Sequence, residues 1–416
     1  MHNRFMVWIG VLMIVLGGVY SIYNTPVDAI PDLSENQVIV YTEWMGRNPQ
    51  IMEDQVTYPL VSNLQGLAEV KSIRASSMFG MSFVFIVFND DIDIYWARTR
   101  VLERLNYARR LLPEGVTPTI GPDGTGVGHI FWYTLDAPGY DLGELRALQD
   151  WYVKFALQNT DGVCEVASFG GFEKQYQVTI DPRRLTYFNI SLMDVTDAIG
   201  ASNRDVGGGN YEMNGMSLLV RGMGYIQTID DVKNIPVATN NTIPVRIRDV
   251  ADVQVVGDSR LGITDLNGEG EVVGGIVLMR YGENAKVVID RVKERMKMVE
   301  QGLPPGVKFR TVYDRSELIE AAVATLKDGL WQEIVIVSLV VLVFMFHFRS
   351  AAVAIITIPL SVLIGFILMK LMGVSLNIMS LGGIALAIGD LVDAGIVMSE
   401  NTYRELTNAV LNKKQK

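Results

Sequence analysis

LGGIALAIGDLVDAGIVM, residues 381–398, is a near-continuous apolar run that holds two carboxylates, Asp390 and Asp393. Crossing the hydrocarbon core of a bilayer takes about 20 mostly apolar residues in a helix, and this run with its flanks is long enough. A carboxylate near the middle of such a helix costs roughly 2.5–3.5 kcal/mol on insertion scales, so it is rare without a use. Residues three apart share one helix face. Two charges about 5–6 Å apart repel by roughly 3 kcal/mol at an effective dielectric near 20, before any desolvation. At least one of the pair is therefore expected to be protonated at neutral pH. The face reads as a place where protons bind and leave inside the membrane.

Outward from this run, composition sets the class. The chain has 416 residues, room for two or three domains. A mean hydropathy of +0.24 beside 20% charged residues fits a membrane protein with a large water-exposed part. A net charge of −10 and a pI near 5.0 exclude a nucleic-acid partner, which requires a basic face, and mildly favour cations nearby. The single cysteine, Cys164, rules out an intrachain disulfide framework and any CxxC metal site, and it reads as a small apolar filler in a strand. His2, His129 and His347 are scattered and form no zinc pattern.

Phe5 to Tyr23 is apolar, follows Arg4 and carries no charge, which predicts a first transmembrane helix entering from the cytoplasm. A cleaved signal peptide is the rival, but no A-x-A site follows in YNTPVDAIPDL. From Asn24 to about Leu330 the chain is polar and mixed, and one pattern occurs twice. The first round is a strand Val38 to Trp44, a helix Pro49 to Leu64, a hairpin Val70 to Phe88 turning near Ser76 to Gly80, and a helix Ile94 to Leu112. The second is a strand His129 to Leu135, a helix Leu142 to Gln158 and a hairpin Val163 to Ile180 turning at Gly170-Gly171. Two such β-α-β-β units predict ferredoxin-like halves of an α+β membrane protein.

Residues 191–258 break the rhythm with a helix led by Ser191, the run Gly207-Gly208-Gly209, and strands at Met216 to Val220 and Val245 to Ile247. No GxxxxGK[ST] is present, so the glycines read as a flexible hairpin or docking loop and not as a phosphate cradle. The α+β rhythm then resumes with Val272 to Arg280, Ala285 to Val299 and Val307 to Tyr313, which makes the interruption an insertion in the second unit. Ile334 to Phe348 and Ala351 to Met369 read as a transmembrane hairpin turning at Arg349-Ser350 on the cytoplasmic side. Met372 to Asn377 returns the chain outside, and Lys413, Lys414 and Lys416 finish inside, giving four crossings.

Several stretches carry a family resemblance. NTPVDAIPDLSENQV (24–38), VTYPL (56–60), YWARTRVLERLN (95–106), LQDWYVK (148–154), EVASFGG (165–171), TDLNGEGEVVGG (264–275), VYDRSELI (312–319) and NIMSLGGIALAIG (377–389), followed by VDA, IVM and EN, occur in that order. Over nearly the whole chain the sequence resembles the first half of the heavy-metal branch of the resistance-nodulation-division (RND) efflux pumps, with its copper/silver members most similar. The resemblance implies a first transmembrane helix (1–23), a first porter subdomain (24–128), and a second porter subdomain in two parts (129–190 and 259–330) interrupted by a docking subdomain (191–258). It then implies transmembrane helices at 331–348, 351–372 and 379–399 and a cytoplasmic tail (400–416).

It also implies roles. The family's intramembrane proton-relay carboxylate falls on Asp393 and the acidic residue of its EN motif on Glu400, while Asp390 departs from the pattern and either supplements the relay, perturbs it or is tolerated in a degraded copy. Divalent-metal members carry an Asp at the position of Ala387, so alanine there leans towards Cu(I) or Ag(I). Thioethers suit such soft ions, and Met379 and Met398 fall on positions resembling the family's methionine path. Met78, Met81, Met213, Met216 and Met223 are expected to be packing or loop residues. The implied partners are a periplasmic adaptor, an outer-membrane channel, further copies in a trimer, a second-half chain and membrane lipid, and no cofactor is permanently bound. Because the relay's cationic partner comes from the second half in this family, and Lys370 sits near an outer helix end, this polypeptide alone is expected not to pump. A half-permease that binds pump components without transport is the second reading. An intramembrane aspartyl protease is the third, disfavoured because Asp390 and Asp393 share one helix.

Overall fold

The computed structural model describes residues 4–240, 243–258, 260, 262–345 and 348–414, and the side chains of Asp393 and Glu400 are among those lying outside that description. His2, His347 and Lys416 also lie outside it.

The first α+β unit is built on strict alternation. Val38, Val40 and Thr42 of Gln37–Glu43 and Ser82, Val84 and Ile86 of Met81–Phe88 are buried, and the two strands pair antiparallel with Val40 opposite Val84. The four-stranded sheet runs Val70–Met78, Met81–Phe88, Gln37–Glu43, Pro118–Ile120. That is the second, third, first and fourth strand in chain order, the full β-α-β-β-α-β pattern. Its fourth strand was not expected, because three residues are too few to show a period. One helical stretch consists of Pro49–Met52, a π turn at Glu53–Thr57 and Tyr58–Leu64, and the other is Ile94–Ala108. They place Met52, Val56, Leu60 and Leu64, and Ala97, Val101 and Leu105, on the same sheet face. Asn48 and Asp93 cap the two starts by accepting from the Ile51 and Trp96 amides, each at 2.8 Å. Such caps contribute about 1 kcal/mol each.

The second unit has the same strand order. Its sheet runs Lys308–Asp314, Gly124–Asp136, Val273–Arg280, Val163–Gly170, with Ala285–Glu300 among the helices on one face. Its core joins Ile130, Tyr133, Leu145, Leu157, Ile289 and Val292. Here the expected hairpin fails. Lys174–Ile180 does not fold back on Val163–Gly170; it pairs with Ala251–Gly257, from Ile180 opposite Ala251 to Lys174 opposite Gly257. The returning strand beside Val163–Gly170 is Val273–Arg280.

Gly170-Gly171 reads as a tight turn because both residues take positive φ (+72° and +63°). The glycine is needed for a different reason: a Cβ on Gly170 would stand 1.9 Å from the Val272 carbonyl oxygen. It admits the backbone of the returning strand. The insertion therefore includes Lys174–Ile180, ahead of residue 191, and has its own core of Ile190, Val195, Val232, Val245, Ile247 and Val250. From it projects the hairpin Val206–Met213/Met216–Gly222, exposed along both strands, which contains the triple glycine.

Among the described residues one helix segment is long and apolar enough to cross a membrane, Phe5–Asn24, with mean hydropathy 2.2. Its apolar side chains, Phe5, Trp8, Leu12 and Leu16 among them, are exposed, as lipid-facing residues would be. It lies close on Phe348–Leu371 because Gly18 carries no side chain; a Cβ there would be 2.6 Å from that of Leu363. The described apolar segments of the later helices are shorter, Ile356–Leu371 and Ile378–Ile388. Two further expectations are corrected. Arg349 and Ser350 lie within the helix Phe348–Leu371 and make no turn, and the last helix does not end near residue 399 but runs Ile378–Lys414. Unbroken i→i−4 hydrogen bonding with no proline after Ile378 carries it on.

Gly170→Ala is expected to destabilise the chain by at least about 2 kcal/mol, from left-handed strain plus the collision with Val272. Gly126→Ala, where a Cβ meets nothing within 4 Å, is expected to leave stability within about 0.5 kcal/mol. Thermal melts of the two variants in one detergent check the pair, and equal melting temperatures would contradict the close-approach account.

Candidate functional site

The helix Ile378–Lys414 carries Met379, Asp390, Asp393, Met398 and Glu400. Its start is fixed by a reciprocal pair: the Ser380 amide donates to Asn377 Oδ1 and the Asn377 amide to Ser380 Oγ, both at 2.9 Å. At 1.5 Å per residue Asp390 lies about 18 Å along the axis, Asp393 about 22 Å and Glu400 about 33 Å. Seven residues make nearly two turns, so Asp393 and Glu400 fall within about 20° of one another, with Asp390 about 60° to the side. Asp390 is exposed. Helical spacing thus puts positions 390, 393 and 400 along one side of the helix.

The two methionines behave differently. Met379 lies within about 40° of that side in the first turn, whereas Met398 is turned about 140° from Asp393. They are separated by about 28 Å along the axis, and both are exposed. The structure does not bring them into one site, so each would need ligands from another element. Lys370 stands 3.8 Å over the Tyr20 ring, in the last turn of its own helix. No cluster of three or more His, Cys, Asp or Glu suited to a metal ion occurs among the described residues. Cys164 is half-buried with its thiol directed at the carbonyls of Leu278 and Met279, at 3.4 and 3.5 Å. Burial, then Asp123 and Glu165, push that thiol up to about 12, so it stays protonated.

The start of this helix is tied to the second α+β unit through residues that had only marked a resemblance. Pro26 to Ala29 lies parallel to Leu376–Ile378: the Asp28 amide donates to the Leu376 carbonyl and the Leu376 amide to the Pro26 carbonyl, both at 2.9 Å. Ala29 is fully buried in the core of the second unit. Asp28 Oδ1 in turn lies 2.8 Å from Nη2 of Arg315, the buried first residue of the helix Arg315–Met345. Arg315 Nη1 donates to the Val127 carbonyl on a strand of that unit. Burial raises the Asp28 carboxyl above its ordinary value of 3.8, against the pull of Arg315.

Next to it, Asp314 contacts the Lys293 ammonium and accepts from the Ser316 amide at 2.9 Å, and Lys286 pairs with Glu320 at 2.6 Å. Burial pushes Asp314 up, but the hydrogen bonds from Lys293 and Ser316 outweigh it and hold the carboxyl below 3.8. Beside the paired segments Pro26 to Ala29 and Leu376–Ile378, the side chains of Ile22, Val27, Trp331, Phe366, Leu376 and Leu381 line a mostly apolar cavity of about 680 Å³. Sequence periodicity could not find this joint, since its members are single charged residues far apart in the chain. The one visible signal is a charge placed where a soluble segment meets an apolar one.

A family model described as AcrB/AcrD/AcrF matches residues 1–416. The chain belongs to the AcrB/AcrD/AcrF family. Among its relatives, the cation efflux system protein CusA of Escherichia coli K12 is 49% identical over 407 residues, which are 97% of this chain and 39% of that protein. The cobalt-zinc-cadmium resistance protein CzcA of Cupriavidus metallidurans is 37% identical over 417 residues, 98% of this chain and 39% of that one. A crystal structure of a heavy metal efflux pump superposes with a TM-score of 0.87 at 34% identity, covering 99% of this chain and 42% of its own. The chain therefore spans about two fifths of the length of these AcrB/AcrD/AcrF-family relatives.

Removing one partner of the joint leaves a buried charge uncompensated, which costs roughly 3–5 kcal/mol. Asp28→Leu is expected to lose that much and to speed amide exchange at Leu376; the double variant Asp28→Leu/Arg315→Met is expected to recover most of it, which a double-mutant cycle on thermal stability checks. The pH dependence of Asp314 has a definite sign. Its carboxyl is depressed, so its contribution is full above the ordinary value of 3.8 and is lost as pH falls through the lower folded value. Exchange protection of the Arg315–Met345 helix start is expected to fall below pH 3.8, and Asp314→Asn to remove that dependence.

Proposed function

We propose that the chain is the N-terminal half of a proton-driven heavy-metal efflux permease of the bacterial inner membrane, with Cu(I) or Ag(I) as cargo. The observation that carries this reading is the 49% identity to the cation efflux protein CusA over 97% of the chain, with the Asp390, Asp393 and Glu400 stripe in the matching region. The higher identity to CusA than to the cobalt-zinc-cadmium protein CzcA, with Ala387 on the relay helix, favours a monovalent soft ion over a divalent one.

In this reading the helices within Arg4–Asn24, Arg315–Met345, Phe348–Leu371 and Ile378–Lys414 make four crossings, and the α+β units and the insertion stand in the periplasm as porter and docking subdomains. Asp393 is the proton-binding carboxylate, Glu400 continues its stripe two turns further on, and Asp390 adds a second titratable group. Protonation drives transport only if it favours one conformer over another. A carboxylate in hydrocarbon also requires a cationic partner, and Lys370 is held at Tyr20 near the outer end. The partner then comes from a second half, and this polypeptide alone does not pump. The working assembly is a trimer of paired halves joined to an adaptor and an outer-membrane channel. A half-permease that binds these components without transport differs only in activity.

Copper and silver tolerance in a bacterial strain lacking its own pump tests the proposal. The chain with a matching second half is expected to restore tolerance, Asp393→Asn to abolish it, and the chain alone to give none. Failure of the stably expressed pair would favour the non-transporting reading, and rescue by the chain alone would refute the need for a second half.

A further inference from the structure

Three methionines, Met45, Met78 and Met81, lie around one turn at the end of the first α+β sheet. Met78 and Met81 flank the turn Phe79-Gly80 and are cross-strand partners. Residues directly opposite in an antiparallel pair project from one face with their Cβ atoms about 4.5–5.5 Å apart. That face is the one the helices leave bare: Ser82, Val84 and Ile86 point into the core, while Met81, Phe83 and Phe85 alternate with them. Glu43, opposite Met81, lies on the same face.

The third methionine arrives through the chain's own hydrogen bonds. The Trp44 amide donates to the Gly80 carbonyl and the Gly80 amide to the Arg47 carbonyl, both at 2.8 Å, which presses the segment containing Met45 onto the turn. Gly80 takes φ +69°, and a Cβ on it would stand 3.1 Å from Met45 Sδ. The missing side chain is the space the sulfur occupies. Met45 and Met78 are 65% and 52% exposed, so these side chains are not filling a core. Exposed thioethers gain little from burial, yet two of them stand at this turn beside the half-buried Met81.

Thioether sulfur is a soft, uncharged ligand that selects Cu(I) over hard oxygen-seeking cations, and the unbranched methionine side chain has three rotatable bonds with which to converge on an ion. We propose that Met45, Met78 and Met81 form a binding site for a soft monovalent cation, Cu(I) or Ag(I), on the first α+β unit, apart from the membrane helix. The M-x-G-M pattern recurs at Met213-Asn214-Gly215-Met216, where the two methionines are again cross-strand partners. This second pair provides an internal comparison, two thioethers against three.

The test is a silver-ion titration of the full chain in detergent, with 13C-labelled methionine methyl groups followed by NMR in chloride-free buffer. At one equivalent the Met45, Met78 and Met81 methyls are expected to shift together, ahead of Met213 and Met216. Met78→Leu keeps the volume and is expected to weaken the shifts at Met45 and Met81 at least tenfold, with the remaining methyl positions reporting an intact fold. Shifts that need several-fold excess silver, that occur at the three residues independently, or that persist unchanged in Met78→Leu would overturn the site. The Met379 and Met398 methyls are read in the same spectra, so a failure of the membrane-cargo reading is seen separately from a failure here.

Discussion

A guanidinium removed from water requires an opposing charge and acceptors within reach, and Arg315 finds them in Asp28 and the Val127 carbonyl. The cost of burying that cation unpaired is several kcal/mol, so three separate parts of the chain must arrive together: the segment after the first helix, the start of the helix Arg315–Met345 and a central strand of the second α+β unit. The same short segment hydrogen-bonds to Leu376, one residue before the cap of the carboxylate-bearing helix. Lys293 and Lys286 add attachments from the helix Ala285–Glu300. The helix Ile378–Lys414 and the second α+β unit are thereby joined through backbone and buried charge.

This joint connects two long helices to the second α+β unit without a break. Ile378–Lys414 is one continuous helix, capped at Asn377 and strapped at Leu376. The helix Arg315–Met345 is likewise continuous from its buried first residue into an apolar stretch. The two α+β units have the same strand order, and the attachments described fall on a central strand and a helix of the second.

The legibility of these features in the sequence followed the range of the interactions. Alternation at Val38, Val40, Val84 and Ile86, and three-four spacing at Leu60, Leu64, Val101 and Leu105, are local signals, so nearly every strand and helix of the two units was predicted with the right type. The fourth strand of the first unit, only Pro118–Ile120, was too short to announce itself. The pairing of Lys174–Ile180 was misassigned because two glycines with positive φ look alike whether they make a hairpin turn or admit a distant strand. Asp390 and Asp393 stood out in the sequence because a carboxylate in an apolar run is costly, whereas Glu400 was marked only by the family resemblance. Met78 and Met81 had been expected to be packing or loop residues, and their meeting with Met45 depends on the loop hydrogen bonds at Gly80.

The sequence by itself determined the apolar and polar division of the chain and the periodicity of its elements. Each of these depends on one residue and its near neighbours. Tertiary structure alone decided strand partners, the extent of the insertion, the Asp28–Arg315 joint and the convergence of Met45 on the Met78–Met81 turn. These arise between residues tens to hundreds of positions apart, where spacing along the chain carries no distance in space. Only burial and the pairing of backbone groups bring such residues within contact.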